Sequence, residues 1–281
     1  MKNILVPTDF SKSAFHALRY STELLKDKKC DFFLLNVYER SKGFNNIPID
    51  TENQRHSDKL RELSKNRLNA IHGKIKKENK NSKHSYRCIS EPDDLIYTLH
   101  SKIDELNIDM IVLGNRGEKS SIPVFLGSTV SETLKSIKKC PILVVPKGAE
   151  LTIPKEIGFA TDFKKPFNFK GLDSLRSLAH MSDAPIRIIH IDEEEKLDLD
   201  QKNNLDSLVT YFNTMAYTIE RIPNFISKTK IIQLFLEKAD TNMISMVYNE
   251  HGPLEKMLRE PVVEKMAVQI DMPFLVLPDT D

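Results

Sequence analysis

The stretch Ile4-Leu5-Val6-Pro7-Thr8-Asp9-Phe10 decides the fold, because it returns as Ile157-Gly158-Phe159-Ala160-Thr161-Asp162-Phe163 in the second half of the chain. Such self-similarity marks a unit written twice. The ends of the two units echo each other as well, Cys140-Pro141-Ile142-Leu143-Val144-Val145-Pro146 against Met272-Pro273-Phe274-Leu275-Val276-Leu277-Pro278. With both ends matched, the boundary falls in Lys147-Gly148-Ala149-Glu150, closed by Pro154, and the expected domains are 1–147 and 152–281. A length of 281 residues suits two compact units of roughly 150 residues each.

Outward from the first strand, short apolar runs alternate with segments of helical period. Ile4 to Val6, Phe32 to Val37, Tyr86 to Ile89, Met110 to Leu113 and Ile142 to Val145 are rich in β-branched or aromatic residues and lack strict alternation, as strands buried on both faces do. Between them, Ser11 caps a helix burying Ala14, Leu18 and Leu25. Leu60, Leu63, Ile71 and Ile75 make a second apolar stripe, and Leu95, Leu99, Ile103 and Leu106 a third. The second unit repeats the order, with Ile186 to Ile191, Ile219 to Ile222, Met243 to Met246 and Phe274 to Leu277 as later strands. This alternation predicts an α/β class protein: two tandem doubly wound domains, parallel strands joined by right-handed crossovers, with helices on both faces.

Composition narrows the function. Lys+Arg 41 against Asp+Glu 40 leaves a formal charge of +1, so the whole chain gives no electrostatic reason to expect nucleic acid or anionic lipid as a partner. Lys74, Lys76, Lys77, Lys80 and Lys83 form a local basic stretch without an aromatic platform, which reads first as a helix C-terminus complementing its dipole. No apolar run reaches the roughly 18 to 20 residues that span a bilayer. The cysteines Cys30, Cys88 and Cys140 are odd in number, with no C-x-x-C pair and no histidine at zinc spacing, so neither disulfides nor structural zinc are expected. The first residues carry too short an apolar run for a signal-peptide core, and a reducing, cytoplasmic location is expected.

The chemistry concentrates after the first and fourth strands, where open α/β sheets bind ligands. Gly114-Asn115-Arg116-Gly117 follows the fourth strand, then nine residues, then Gly127-Ser128-Thr129 opening a helix that buries Val130, Leu134 and Ile137. Thr129 and Glu132 have capping-box spacing, and Ser128 can itself cap. Glycine lets backbone N–H groups converge on a phosphate without Cβ atoms in the way, and a helix start adds unpaired N–H groups and the positive end of its dipole. Together these form an anion cradle. Arg116 and Lys119 add positive charge to the loop, which Glu118 opposes.

This constellation resembles the universal stress protein family. The pattern Gly114-x-x-Gly117-x9-Gly127-Ser128 matches that family's ATP-binding motif, joined by the strand leading into Pro7-Thr8-Asp9, by Asn36-Val37 ending strand two, and by the terminal strand Ile142 to Val145. Both halves share the resemblance, but only the first carries the whole motif. It implies a Rossmann-like, HUP-type domain with a five-stranded parallel sheet in the order 3-2-1-4-5 and a nucleotide across strands one and four. In such proteins the residue matching Asp9 contacts adenine and that matching Val37 lines the base pocket. Those matching Gly114, Gly117, Gly127, Ser128 and Thr129 hold ribose and phosphates, and Pro7, Thr8, Leu113, Asn115, Arg116 and Val130 complete the implied set. The implied cofactor is ATP or another adenine nucleotide, with or without Mg²⁺. The resemblance also implies pairing of last strands across a two-fold axis. Here Ile142–Val145 would pair with Phe274–Leu277 inside one chain, and a homodimer of chains stays open. From the residues alone, Asp9 has a second reading, a polar side chain shaping the turn before the helix capped by Ser11.

The second half lacks the cradle. Counting back from the shared last strand sets Gly127-Ser128 opposite Arg259-Glu260 and Gly117 opposite Asn249, so side chains occupy the approach path and Glu260 opposes phosphate. Only Gly252 remains in that loop. The second half is therefore expected to bind no ATP in the family manner, and to serve as a structural mate or take a different ligand. His190 and His251 are read as ordinary polar or core residues, and Asp192-Glu193-Glu194-Glu195 as a solvated run. No G-x-x-x-x-G-K-[ST] loop, G-x-S-x-G elbow or kinase signature set accompanies the motif. The leading expectation is a nucleotide-binding stress-response module. The alternatives are a slow metal-dependent ATPase and an interaction scaffold with a vestigial or different pocket.

Overall fold

The computed structural model describes residues 2–38, 51–115, 128–191, 196–222, 240–248 and 272–279. In the first half the elements are β1 (Lys2–Pro7), α1 (Lys12–Leu24), β2 (Cys30–Val37), α2 (Thr51–Glu78), β3 (His84–Glu91), α3 (Leu95–Glu105), β4 (Met110–Gly114), α4 (Ser128–Ser136) and β5 (Ile142–Val145). In the second they are β6 (Glu156–Thr161), α5 (Phe169–Ser182), β7 (Ile186–Ile191), α6 (Leu199–Tyr211), β8 (Tyr217–Ile222), β9 (Thr241–Val247) and β10 (Phe274–Leu277).

These strands form one sheet in the order β3-β2-β1-β4-β5-β10-β9-β6-β7-β8. Each half has the order 3-2-1-4-5 with parallel neighbours throughout. The halves meet where β10 runs antiparallel to β5, pairing Phe274, Leu275 and Val276 with Val144, Leu143 and Ile142. Strand side chains alternate between two apolar layers. Ile4, Val6, Phe32 and Leu34 lie in one with Leu18 of α1, Leu68 of α2, Leu175 of α5 and Leu208 of α6. Leu5, Phe33 and Leu35 lie in the other with Leu99 of α3 and Leu134 of α4. Both layers continue across the join, so the first half carries helices on both faces; in the second half the helices described lie on one face.

Local sequence sets the helix starts. Ser11 caps α1 by accepting from the Ala14 N–H at 3.1 Å, Asp94 caps α3 through Tyr97, and Asp198 with Gln201 forms a reciprocal capping box on α6. The expected stripe on α2 holds at Ile75, which is buried, and at Ile71, which packs against the core, but fails at Leu63. Leu63 is 51% exposed, whereas Ser64, Leu68 and Ile75 are buried. The early turns of this 28-residue helix are mostly exposed, so the inward face is set only where α2 packs on β2 and β3. Lys76 and Lys77 sit in its last turn, where they complement the dipole. Cys30 and Cys140 are buried, and burial pushes their thiols up to about 11 and about 12, which keeps them protonated.

Two histidines tie the first half together. His16 on α1 donates from Nε2 to the carbonyl of Ala149, in the connection between β5 and β6, at 2.8 Å. His84 opens β3, and its tautomer follows from its neighbours. Asn79 Oδ1 accepts from the Asn81 N–H, so the Asn79 amide donates to His84 Nδ1 at 3.1 Å, while His84 Nε2 donates to Leu25 O at 3.1 Å. Protonating Nδ1 would place two donors face to face. Burial holds the pKa of His16, His72 and His84 below the ordinary imidazole value.

The unfolded chain therefore takes up protons near pH 6.5 that the fold excludes. The histidine contribution to stability is complete above that pH and is lost as pH falls below it. Urea unfolding midpoints should drop between pH 7 and pH 5, less so in His84→Asn. A flat profile across that window would contradict this assignment.

Candidate functional site

The expected site residues that the structure describes lie at the carboxyl edge of the first half's sheet or at the start of α4. β1 lies between β2 and β4. α1, which follows β1, packs on one face of the sheet and α4, which follows β4, on the other, so the strand order reverses at this point. Pro7 ends β1 with Thr8 and Asp9 following it, Val37 ends β2, and Leu113 and Gly114 end β4 with Asn115 following it. Ser128 and Thr129 are exposed in the first turn of α4, and Val130 is buried there. No acidic residue stands in that turn to oppose an anion. Because α4 starts at Ser128, Thr129 lies inside the helix and does not cap it; its carbonyl instead accepts from Thr133 Oγ1 at 2.8 Å. Arg116, Gly117 and Gly127 lie outside the described residues, as do Lys119, Glu118, Asn249, His251, Gly252, Arg259, Glu260 and 192–195.

The repeated Thr-Asp-Phe triplet is a turn. Thr8 Oγ1 accepts from the Phe10 N–H at 3.0 Å and Asp9 Oδ1 from the Ser11 N–H at 3.0 Å, while Phe10 takes a left-handed φ of 68°. The second half repeats this: Thr161 Oγ1 accepts from Phe163 N–H, Asp162 Oδ1 from Lys164 N–H, and Phe163 has φ 55°. Side-chain acceptors two residues back stabilise a bend that a bulky residue otherwise avoids. The triplet thus has a structural reason to recur in a half without the glycine motif. In the first half the same bond holds the exposed Asp9 carboxylate in the turn, and Asn36 near the end of β2 donates to Thr8 O at 2.7 Å.

Gly114 also has a packing reason. A Cβ there would lie 2.6 Å from Ser13 Oγ and 2.7 and 2.8 Å from the Ser13 carbonyl carbon and oxygen. The missing side chain is what lets the first turn of α1 press onto the end of β4, a long-range approach invisible in the spacing of the glycines. Ser13 was not among the expected residues; the sequence marks only its helix cap, Ser11.

Whether the edge fits a polar ligand can be judged from Asn115. The residue is 7% exposed, its N–H donates to Val145 O at 3.1 Å, and its Oδ1 is buried with no hydrogen-bond partner. A buried acceptor left alone costs about 1–3 kcal/mol, which a ligand donor would recover. Among the described residues no group of three His, Cys, Asp or Glu side chains is placed to hold a metal ion.

The corresponding edge of the second half is built differently. Ile4 pairs with Met110 and Ile157 with Met243, so Val247 stands where Gly114 does and Tyr248 where Asn115 does. This register also moves the count from the last strand by one residue at the end of β9. His190 replaces Asn36 and is buried, its ring stacked on Phe163 at 4.8 Å and 15°. Gln201 and Asn204 of α6 donate to the carbonyls of Asp162 and Phe163, both at 2.8 Å. Lys138, just beyond α4 of the first half, places Nζ 3.1 Å from the centroid of the buried Tyr248 ring. Large side chains thus pack where the first half keeps small or polar ones.

A family model described as the universal stress protein family matches residues 1–146 of the 281. The chain belongs to the universal stress protein family. Among solved structures, a universal stress protein from Archaeoglobus fulgidus DSM 4304 is similar over 99% of this chain and 98% of its own, at 17% identity and a TM-score of 0.73. A functionally unknown protein from Pseudomonas aeruginosa PAO1 is similar over 99% of this chain and 93% of its own, at 13% identity and a TM-score of 0.55. These two likenesses concern the fold. A universal stress protein family protein from Arabidopsis thaliana, solved with AMP bound, aligns with 52% of this chain and 92% of its own at 17% identity and a TM-score of 0.35. No curated protein matches the chain. Among the described residues, no helix is long and apolar enough to cross a membrane.

Because Ser13 backbone atoms fill the space above Gly114, Gly114→Ala should destabilise the fold by about 1–3 kcal/mol, the usual cost of overpacking. Denaturant unfolding measures this directly. An unchanged midpoint would show that α1 does not need the bare glycine.

Proposed function

We propose that this universal stress protein is a stress-response binding module that takes one adenine nucleotide, ATP or AMP, in the crevice of its first half. The observation that supports the reading is that the strand order reverses between β1 and β4, whose ends lie side by side with that of β2, and that the helix following β4 has no acidic residue in its first turn. The pattern Gly114-x-x-Gly117-x9-Gly127-Ser128 supplies the backbone amides such a ligand needs. In this reading Asp9 and Val37 hold the base, and Gly117, Gly127, Ser128 and Thr129 hold the phosphates. In this proposal the groups bind and orient, and occupancy rather than turnover is the signal; among the described residues of this edge none is placed as a nucleophile or general base.

The two units 1–147 and 152–281 act in this proposal as unequal domains of an internal pseudo-dimer. The second, with Val247 and Tyr248 at the equivalent strand end, is the structural mate. Pairing of β5 with β10 supports that arrangement.

The test is to purify the full chain, denature it and identify any released nucleotide, comparing wild type with Gly127→Arg, which copies the second half's residue at the counted position. Adenine nucleotide should leave the wild type and be absent from the variant. Equal recovery from both, in proteins with matching thermal melts, would refute the site.

A further inference from the structure

Lysines far apart in the chain meet at the amino edge of the first half's sheet, the end away from the ends of β1 and β4 where the strand order reverses. The loop from α1 to β2 carries Lys26, Lys28 and Lys29, and the end of α2 with its loop to β3 carries Lys76, Lys77, Lys80 and Lys83; all are exposed. The two loops are tied together. Asn81 donates to Lys26 O at 2.6 Å, His84 to Leu25 O at 3.1 Å, and the Cys30 N–H to Lys83 O at 3.0 Å. Bonds to the main chain therefore hold the lysines in one patch.

Ion pairing leaves a surplus there. Arg19 meets Glu78 at 3.1 Å, Lys26 meets Glu23 at 2.8 Å and Lys83 meets Asp27 at 3.6 Å, whereas Lys28, Lys29, Lys76, Lys77 and Lys80 have no carboxylate partner among the described residues. A helix end carries about half an elementary charge, so the C-termini of α1 and α2 together account for about one of these five. The whole chain carries only +1, so the surplus leaves the remainder net negative and turns this edge toward a polyanion.

The chemistry of the patch narrows the partner. Lysines are point charges on flexible stems, suited to phosphate oxygens along a backbone and carrying no base readout. No exposed aromatic side chain among the described residues stands between them to stack single-stranded bases. The exposed large apolar residues described in this half, which a bilayer would take up, are elsewhere: Leu63 lies about 20 Å along α2 from Lys76, and Tyr97 on the first turn of α3 at the opposite edge. A flexible acidic peptide loses entropy on binding, whereas a duplex arrives rigid and carries about one charge per 1.7 Å. We infer that this edge docks on the phosphate backbone of double-stranded nucleic acid without base specificity. The inference is independent of the nucleotide reading.

The experiment is fluorescence anisotropy of labelled DNA and RNA duplexes of about 20 base pairs, titrated with the full chain at salt from about 50 to 200 mM. Wild type is compared with a variant carrying Lys28→Gln, Lys29→Gln, Lys76→Gln and Lys77→Gln, all at exposed positions and checked by thermal melts. Phosphatidylserine vesicles and polyglutamate are the competing probes. Wild type should bind a duplex with a slope of log K against log salt of about −4.5, and the variant's slope should be shallower by about 3.6. Binding to DNA, RNA or both then identifies the source of the backbone. No duplex binding by wild type at about 50 mM salt, a slope unchanged in the variant, or vesicles or polyglutamate bound as tightly as the duplexes would overturn the inference.

Discussion

The antiparallel contact of β5 with β10 is the constraint on which the rest depends. Both strands are four residues long and buried throughout, so each half would otherwise end on an apolar edge with unpaired backbone groups. Joining the edges removes both and lets the two apolar layers run on from one half into the other. The direction of the join has a second effect. Strands of the two halves point opposite ways, so their carboxyl edges, and hence their crevices, lie at opposite ends of the sheet. The same reversal brings the far end of α4 to the second half, where Lys138 covers Tyr248.

Within that frame the halves have diverged at the strand ends while keeping the turn that leads into their first helix. Both halves also let this helix approach closely through a bare glycine, but place it differently. In the first, Gly114 sits on the strand beneath Ser13 of α1; in the second, Gly171 sits on α5, where a Cβ would come within 2.5 Å of the Pro278 carbonyl. With the strand position released, Val247 and Tyr248 stand where Gly114 and Asn115 do. The glycine that admits the helix thus sits on the strand in one half and on the helix in the other.

Much of this was legible in the sequence because it depends on local pattern. The recurrence of Thr-Asp-Phe, the unbroken apolar runs and the cap at Ser11 lead to the class, the doubling and the α1 start. Ile71 and Ile75 of the expected α2 stripe do face inward, but Leu63 was misread, since a mostly exposed helix leaves Leu63 and Leu68 equally plausible as inward residues until β2 and β3 select one side. The contact of Gly114 with Ser13 joins residues far apart in the chain, and glycine spacing alone points equally to a ligand. Asp9 shows the same ambiguity at a single residue: its hydrogen bond to Ser11 N–H explains its presence without a ligand, and Asp162 repeats it. The filling of the second half by His190, Tyr248 and Lys138 required the sheet register, which a count from the last strand misplaces by one at β9.

In this account a single crevice, that of the first half, takes a nucleotide, and backbone amide NMR during titration with ATP reports on both halves at once. Shifts should appear at Asp9, Val37, Asn115 and Ser128, saturate at one equivalent, and leave Asp162, His190 and Tyr248 unmoved. Shifts centred on the second set, or none in the first, would contradict a polyphosphate site confined to the amino-terminal half.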